Sequence, residues 1–419
     1  MQSNCIIKDS FIEDTGFDFI RKWLLNHCNC EENQVYFNSL SPITNVVKLN
    51  NQLSETDELY KALLRKDILV ETRIKNISKS IFSLGIKGDF IDINEFSQIR
   101  GLLSYHIQLV KYFKGTHFKL WGKKLLPINV SKSIIKEIDK IIDEELNIKK
   151  NASKKLSQIS QKINQTKIEI ESKMTYELNK YAKLGYLRDN KTVFRSGKIL
   201  LPVNVSNKKK VTGVIDGFSA TGQTCFVQPI SIVELNNKMN ELISEKKKEI
   251  TKILIKLTDD IRSHKDFLDR LYHLIKYYDI HYTIANFAIS TNAIKPEFGS
   301  KLKLNNAVNP LFTLKGKEYI PLNVSIENRG STVVISGPNS GGKTVVIKSI
   351  GLYAVMAQCA LYTPATLAIL PVFNSFLSDI GDKQSLNDDL STFSAHMKEI
   401  SDILKVVDKY SLIIIDEMG

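Results

Sequence analysis

The chain is short of what a membrane, an oxidising compartment or a zinc site would require. No uninterrupted apolar run reaches the roughly 18–20 residues needed to cross a bilayer, so no spanning helix and no membrane partner are expected. The first residues, MQSNCIIKDSFIEDTG, lack a basic stretch followed by an apolar one. No secretory signal is therefore expected, and residence in the cytoplasm follows. Five cysteines in 419 residues (Cys5, Cys28, Cys30, Cys225, Cys359) are few and scattered. Cys28-Asn29-Cys30 is too tight for the usual zinc spacing, and no second Cys/His pair completes a site. Reduced structural thiols are the reading that remains. Acid is the scarcer charge: 45 Asp and Glu against 58 Lys and Arg leave a net charge of +13. That excess favours a polyanionic partner such as DNA, RNA or a ribosome, although a Lys-rich surface also keeps a protein in solution.

What is present changes character along the chain. Residues 1–130 are mostly helical in pattern, with Phe17, Ile20, Trp23 and Leu24 recurring at helical spacing. Residues 131–185 have no Gly or Pro before Gly185 and carry an apolar stripe through Ile134, Ile138, Ile142, Leu146, Leu156, Ile159 and Ile163. One long helix without caps is expected there, of the kind that forms coiled-coil arms. Over 186–229 the period shortens: Ile199, Leu201, Val203 and Val205 alternate, and Gly213, Gly217 and Gly222 supply turns, so a small β-rich insert is expected. Residues 230–292 return as a second long helical run. Helix, β insert and returning helix describe an antiparallel arm, on the order of 75 Å long for about 50 residues. The insert carries Lys208-Lys209-Lys210, a solvated face or a contact for a phosphate backbone. Residues 293–419 alternate strand-like and helical patterns, the texture of an α/β domain with a parallel sheet.

The chemistry lies in this last segment. Gly337-Pro338-Asn339-Ser340-Gly341-Gly342-Lys343-Thr344 is a complete Walker A motif between an expected strand (332–336) and an expected helix (344–358). Glycines let backbone N–H groups curl around phosphate oxygens, and the helix N-terminus adds partial positive charge. Lys343 is expected on the β- and γ-phosphates of ATP and the Thr344 hydroxyl on Mg²⁺. Leu412-Ile413-Ile414-Ile415-Asp416-Glu417 has the Walker B pattern, a buried strand ending in two carboxylates. Asp416 is expected to hold Mg²⁺, and Glu417 to orient or deprotonate the attacking water. Between the motifs, a polar run around Gln384 precedes a helix headed by Ser391 and Thr392. It serves either as a nucleotide sensor or as an ordinary capped surface helix.

These motifs resemble the MutS superfamily, and most of all its second bacterial subfamily, whose members lack the mismatch-reading N-terminal domains. The resemblance rests on Gly337–Thr344, Asp379–Met397, Ile415–Gly419, and the run from Asp216-Gly217-Phe218 through Gln228-Pro229 to Asn237. It implies a multidomain α plus α/β fold. A helical core (1–130), a lever or coiled-coil arm (131–185 and 230–292) and a β-rich clamp tip (186–229) would precede an ABC-like P-loop ATPase domain (293–419), cut after Walker B. It implies a homodimer with composite sites, in which Ser391 touches the γ-phosphate bound to the partner subunit and Gln384 couples nucleotide state to the arms. The implied targets are branched or mismatched double-stranded DNA, or rRNA in stalled ribosomes, whose subunits the factor would split. Phe11-Ile12-Glu13 spells the family's mismatch wedge, but no domain-sized sequence surrounds it and an ordinary helix start is expected. Because the family continues beyond Walker B, this chain alone is expected to hydrolyse ATP poorly. A chromosome-bridging coiled-coil ATPase is disfavoured, because here the arms precede both motifs.

Overall fold

The computed structural model of the chain describes residues 5–65, 73–114, 119–125, 127–195, 198–327, 330–338, 342–380 and 389–416, with the backbone alone over 389–396. Eleven strands occur among the described residues: β1 (Ile6–Ile7), β2 (Val193–Arg195), β3 (Lys198–Asn204), β4 (Gly213–Phe218), β5 (Thr224–Pro229), β6 (Glu297–Phe298), β7 (Leu302–Ala307), β8 (Leu322–Ile326), β9 (Leu367–Leu370), β10 (Ser375–Asp379) and β11 (Ser411–Ile415). They form three sheets, ordered β1-β10-β11, β2-β3-β5-β4 and β6-β9-β7-β8. The chain divides into two compact units, residues 1–78, 101–132 and 266–419, and residues 79–100 and 133–265.

The first unit contains the parallel sheet. β10 pairs with β11 on one side and with β1 on the other, Ile6 opposite Ser375 and Ile7 opposite Phe376. The start of the chain, grouped by pattern with a helical domain, is thus part of the α/β layer. The helices Asp9–Thr15 and Phe17–His27 bury Phe11, Phe17, Ile20 and Leu24 in one core with Leu352, Val355, Phe376 and Ile414. Phe11 is fully buried, its ring 5.3 Å from that of Phe376, so Phe11-Ile12-Glu13 presents no wedge. The helix Lys343–Gln358 is apolar on nearly every side, which suits a helix enclosed by protein. Gly351 allows its close approach to the sheet. A Cβ there would lie 2.3 Å from Ile414 Cδ1, 2.9 Å from Thr15 Cγ2 and 3.1 Å from Phe11 Cζ.

Two acids, the buried Asp279 and the part-buried Glu55, brace the helical part of this unit. Asp279 accepts hydrogen bonds from the backbone N–H of Asn29 and Cys30 and from Asn33 Nδ2, at 2.8–3.0 Å. Glu55 receives Lys124 Nζ at 2.9 Å and the Tyr277 hydroxyl, and His281 Nε2 lies 3.3 Å away. Burial raises the Glu55 carboxyl, but His281, Tyr277 and Lys124 lower it more, to about 2. Desolvation holds the His281 ring below its ordinary value despite Glu55.

In the second unit the helices Lys154–Lys183 and Ile230–Arg262 run antiparallel. Ser153 Oγ donates to Glu249 (2.7 Å), Lys155 reaches Glu245 (3.3 Å), and Ser231 Oγ donates to Glu177 (3.1 Å). Ile170, Met174, Ile232 and Leu235 from this pair close over Leu201, Val203, Cys225 and Val227 of the antiparallel sheet.

Three sequence expectations need correction. Residues 131–185 are not one helix: Ile128–Ile141 and Lys154–Lys183 are separate. Asp143 Oδ1 accepts from the N–H groups of Glu145 (3.0 Å) and Asn147 (2.8 Å), Leu146 turns left-handed at φ 60°, and Ser153 caps the next helix through Leu156 N. Side-chain oxygens have taken the donors that a continuing helix would use. The returning run is likewise two helices, Ile230–Arg262 and Lys265–Ser290. Finally, residues 332–336 form no strand. A strand requires a paired neighbour; this segment is paired with no described strand, and together with Ile413 and Ile415 of β11 it lines a cavity of about 740 Å³.

Candidate nucleotide site

β11 is apolar after Ser411 and lies in parallel register with β10, Asp379 opposite Ile415. Asp416 is therefore the first residue beyond the sheet's C-terminal edge, its N–H held by the Asp379 carbonyl at 3.1 Å. On the neighbouring helix, Gly342 takes the N-cap position at φ 76°, a left-handed conformation that glycine adopts without strain. The helix then presents Lys343 and Thr344 in its first turn.

The two motifs meet. Thr344 Oγ1 donates to Asp416 Oδ2 at 2.5 Å, across 72 residues of sequence. Lys343 Nζ donates to the Gly337 carbonyl at 2.6 Å, so the ammonium sits against the first residue of the Walker A run. A hydroxyl and a carboxylate converging in this way are the hard oxygen donors that Mg²⁺ takes. The adjacent helix N-terminus and ammonium suit phosphate oxygens. The residues present therefore fit a Mg²⁺–nucleotide.

Pattern reading did not find the groups that hold this corner in place. Ser349 Oγ donates to Val345 O (2.6 Å) and accepts from Asn309 Nδ2 (2.9 Å), and the Tyr319 hydroxyl is 3.2 Å away. These contacts tie the second turn of the helix to the segment entering the domain. Gly351 sets the helix-to-strand distance from below. Neither group matches a short motif. Beneath the site, Ser378 Oγ donates to Asp14 Oδ2 at 2.6 Å. Burial raises the Asp14 carboxyl above its ordinary value, with smaller contributions from Glu13 and Asp379.

Of the expected site residues, Gly337, Pro338, Gly342, Lys343, Thr344 and Asp416 are described, and Lys343, Thr344 and Asp416 come together. Asn339, Ser340, Gly341, Gln384 and Glu417 lie outside the described residues, and for Ser391, in the helix Asp389–Val406, only the backbone is described. Lys208, Lys209 and Lys210 follow the turn Val205–Asn207 in the second unit. There Lys208 Nζ lies 5.8 Å from the Phe218 ring centre and Lys210 Nζ 5.2 Å from that of Tyr186. Lys209 is exposed.

Comparison with known proteins adds to this geometry. Residues 333–419 match the family model for MutS domain V. Over 394 residues the chain is 30% identical to a protein named Endonuclease MutS2 from Halothermothrix orenii, covering 91% of this chain and 49% of that protein. It is 32% identical over 412 residues to one of the same name from Caldicellulosiruptor bescii, with 96% and 51% covered. A third, from Aquifex aeolicus, is 28% identical over 417 residues, with 96% and 53% covered. The chain thus spans about half the length of these relatives.

Proposed function

We propose a function that proceeds from one premise: the chain belongs to the MutS superfamily and is most like its second bacterial subfamily. The function is ATP-dependent clamping on branched or mismatched DNA, in repair or in the control of recombination. The observation that carries the ATP part is the 2.5 Å contact between Thr344 and Asp416, beside a helix N-terminus with Lys343 against Gly337.

On this reading the backbone of Gly337–Thr344, including Asn339, Ser340 and Gly341, binds phosphate oxygens, and Lys343 orients the terminal phosphates. Thr344 and Asp416 hold Mg²⁺, which when bound neutralises charge on the phosphates. Glu417 positions the attacking water and takes its proton. Ser391 touches the γ-phosphate bound to the partner subunit of a homodimer, as the family resemblance implies, Gln384 couples nucleotide state to the arms, and Lys208, Lys209 and Lys210 contact the nucleic-acid backbone. The endonuclease in the relatives' name is not assigned to this chain. Among the described residues no group of three or more His, Cys, Asp or Glu side chains is placed to hold a metal ion.

The test measures binding of a labelled four-way-junction DNA by the purified chain, with and without ATP and Mg²⁺, against intact ribosomes as competitor. Nucleotide-dependent retention on the junction, abolished by Asp416→Asn, supports the reading. Transfer to ribosomes would replace DNA with a ribosome-rescue role, and loss of nucleotide dependence would remove the ATP part.

A further inference from the structure

The first unit contains a second cationic site that no motif marks. Residues 101–132 include six lysines (Lys111, Lys114, Lys119, Lys123, Lys124, Lys132) and no Asp or Glu. Lys111 and Lys114 share a face of the helix Ile93–Lys114, three residues apart. Lys119 and Lys123 share a face of the helix Lys119–Lys124, four apart. Three of these four, Lys114, Lys119 and Lys123, rim a single cavity of about 580 Å³, whose apolar lining includes Val110, Phe113 and Leu125.

Among the described residues this charge is unbalanced. Like charges at such spacing repel on a helix by a few tenths of a kcal/mol per pair. The nearest carboxylates are engaged elsewhere. Glu58 accepts the backbone N–H groups of Lys119, Leu120 and Trp121 at 2.9–3.1 Å. Glu55 pairs with Lys124. Among the described residues no carboxylate lies within ion-pair distance of Lys111, Lys114, Lys119 or Lys123. The set also carries more charge than one phosphate balances: Lys114, Lys119 and Lys123, from two helices, rim one opening, with Lys111 beside them. An extended polyanion answers that geometry better than a small anion.

We infer that Lys114, Lys119 and Lys123, with Lys111 beside them, form a second contact for the phosphate backbone of a nucleic acid, separate from Lys208–Lys210. The choice of ligand rests on the nucleic-acid reading above; the existence of an anion site does not. An acidic protein segment is the other candidate, and the test separates them.

The experiment titrates labelled four-way-junction DNA into three forms of the full chain at several salt concentrations: the parent, a body variant (Lys114→Gln, Lys119→Gln, Lys123→Gln) and a tip variant (Lys208→Gln, Lys209→Gln, Lys210→Gln). Each phosphate contact contributes about 0.9 to the slope of log affinity on log salt. The body variant is expected to bind on the order of tenfold or more weakly at about 0.15 M salt, with the slope reduced by about 2–3. The corresponding Lys→Arg variant should bind like the parent, which separates lost charge from lost fold. If the body variant matches the parent within about twofold, with an unchanged slope, while the tip variant weakens, the second contact is overturned and DNA binding stands. That result removes nucleic acid as the occupant of this cavity. If the parent itself does not bind, the nucleic-acid reading and this inference fall together.

Discussion

Gly351→Ala should destabilise the first unit, against the usual effect of that substitution in a helix. Alanine improves helix propensity over glycine by about 1 kcal/mol. Here, however, the new methyl would meet Ile414, Thr15 and Phe11 at 2.3–3.1 Å. The far end of Ile414 can shift, but Phe11 and Ile414 are at most 5% exposed and have little room. Overpacking of this kind costs about 1–3 kcal/mol, so a net loss of about 1 kcal/mol is expected after the propensity gain. Ile414→Val removes the atom at 2.3 Å at a cost of its own of about 0.5–1.5 kcal/mol. The double variant should therefore lose about 1 kcal/mol less than the two singles combined. Urea unfolding followed by tryptophan fluorescence is a suitable assay, because Trp23 and Trp121 both lie in the first unit. A Gly351→Ala chain more stable than the parent, with additive effects in the cycle, would refute the account of how the helix is seated.

Asp416→Asn and Thr344→Ala should each lower Mg²⁺-dependent ATP affinity at least about tenfold, since both remove a hard ligand; calorimetry with and without chelator checks this, and unchanged binding would detach the metal from these residues. The first unit should lose stability as pH falls, in two stages. Below the ordinary histidine value of 6.5 the unfolded chain takes up a proton at His281 more readily than the folded ring, which burial holds lower. From the ordinary 4.5 of Glu55 down to about 2, the depressed carboxylate is lost in turn. His281→Asn should flatten the first stage, and parallel curves for variant and parent would contradict the assignment. Asp279→Ala leaves two backbone N–H groups and Asn33 Nδ2 without their acceptor and should cost about 3 kcal/mol or more, read as a shift in the urea midpoint.

What the sequence disclosed was mostly local. The Walker A run, the apolar strand before Asp416, the alternation of Ile199, Leu201 and Val203 and the long helical stripes are each written within one segment. The helix break at 142–153 is also local, but it depends on Asp143 and Asn147 choosing turn hydrogen bonds over exposed helical positions, a choice that apolar periodicity does not register. The rest was non-local. Nothing near Ile6 announces Ser375 as its partner, and nothing near Gly351 announces Ile414. Residues 332–336 read as a strand by composition, yet strand structure depends on a neighbour that composition does not supply.

The pairing of β1 with β10 also sets a timetable for biosynthesis. Ser375 leaves the peptidyl transferase centre 369 residues after Ile6 (375 minus 6). At about 5–20 residues per second that is a wait of roughly 20–70 s. During that interval Phe11, Phe17, Ile20 and Leu24, all fully buried in the finished molecule, have emerged without most of the surface that will cover them. These residues are thus late to find their core, and the nascent chain carries an adhesive segment until β10 has emerged.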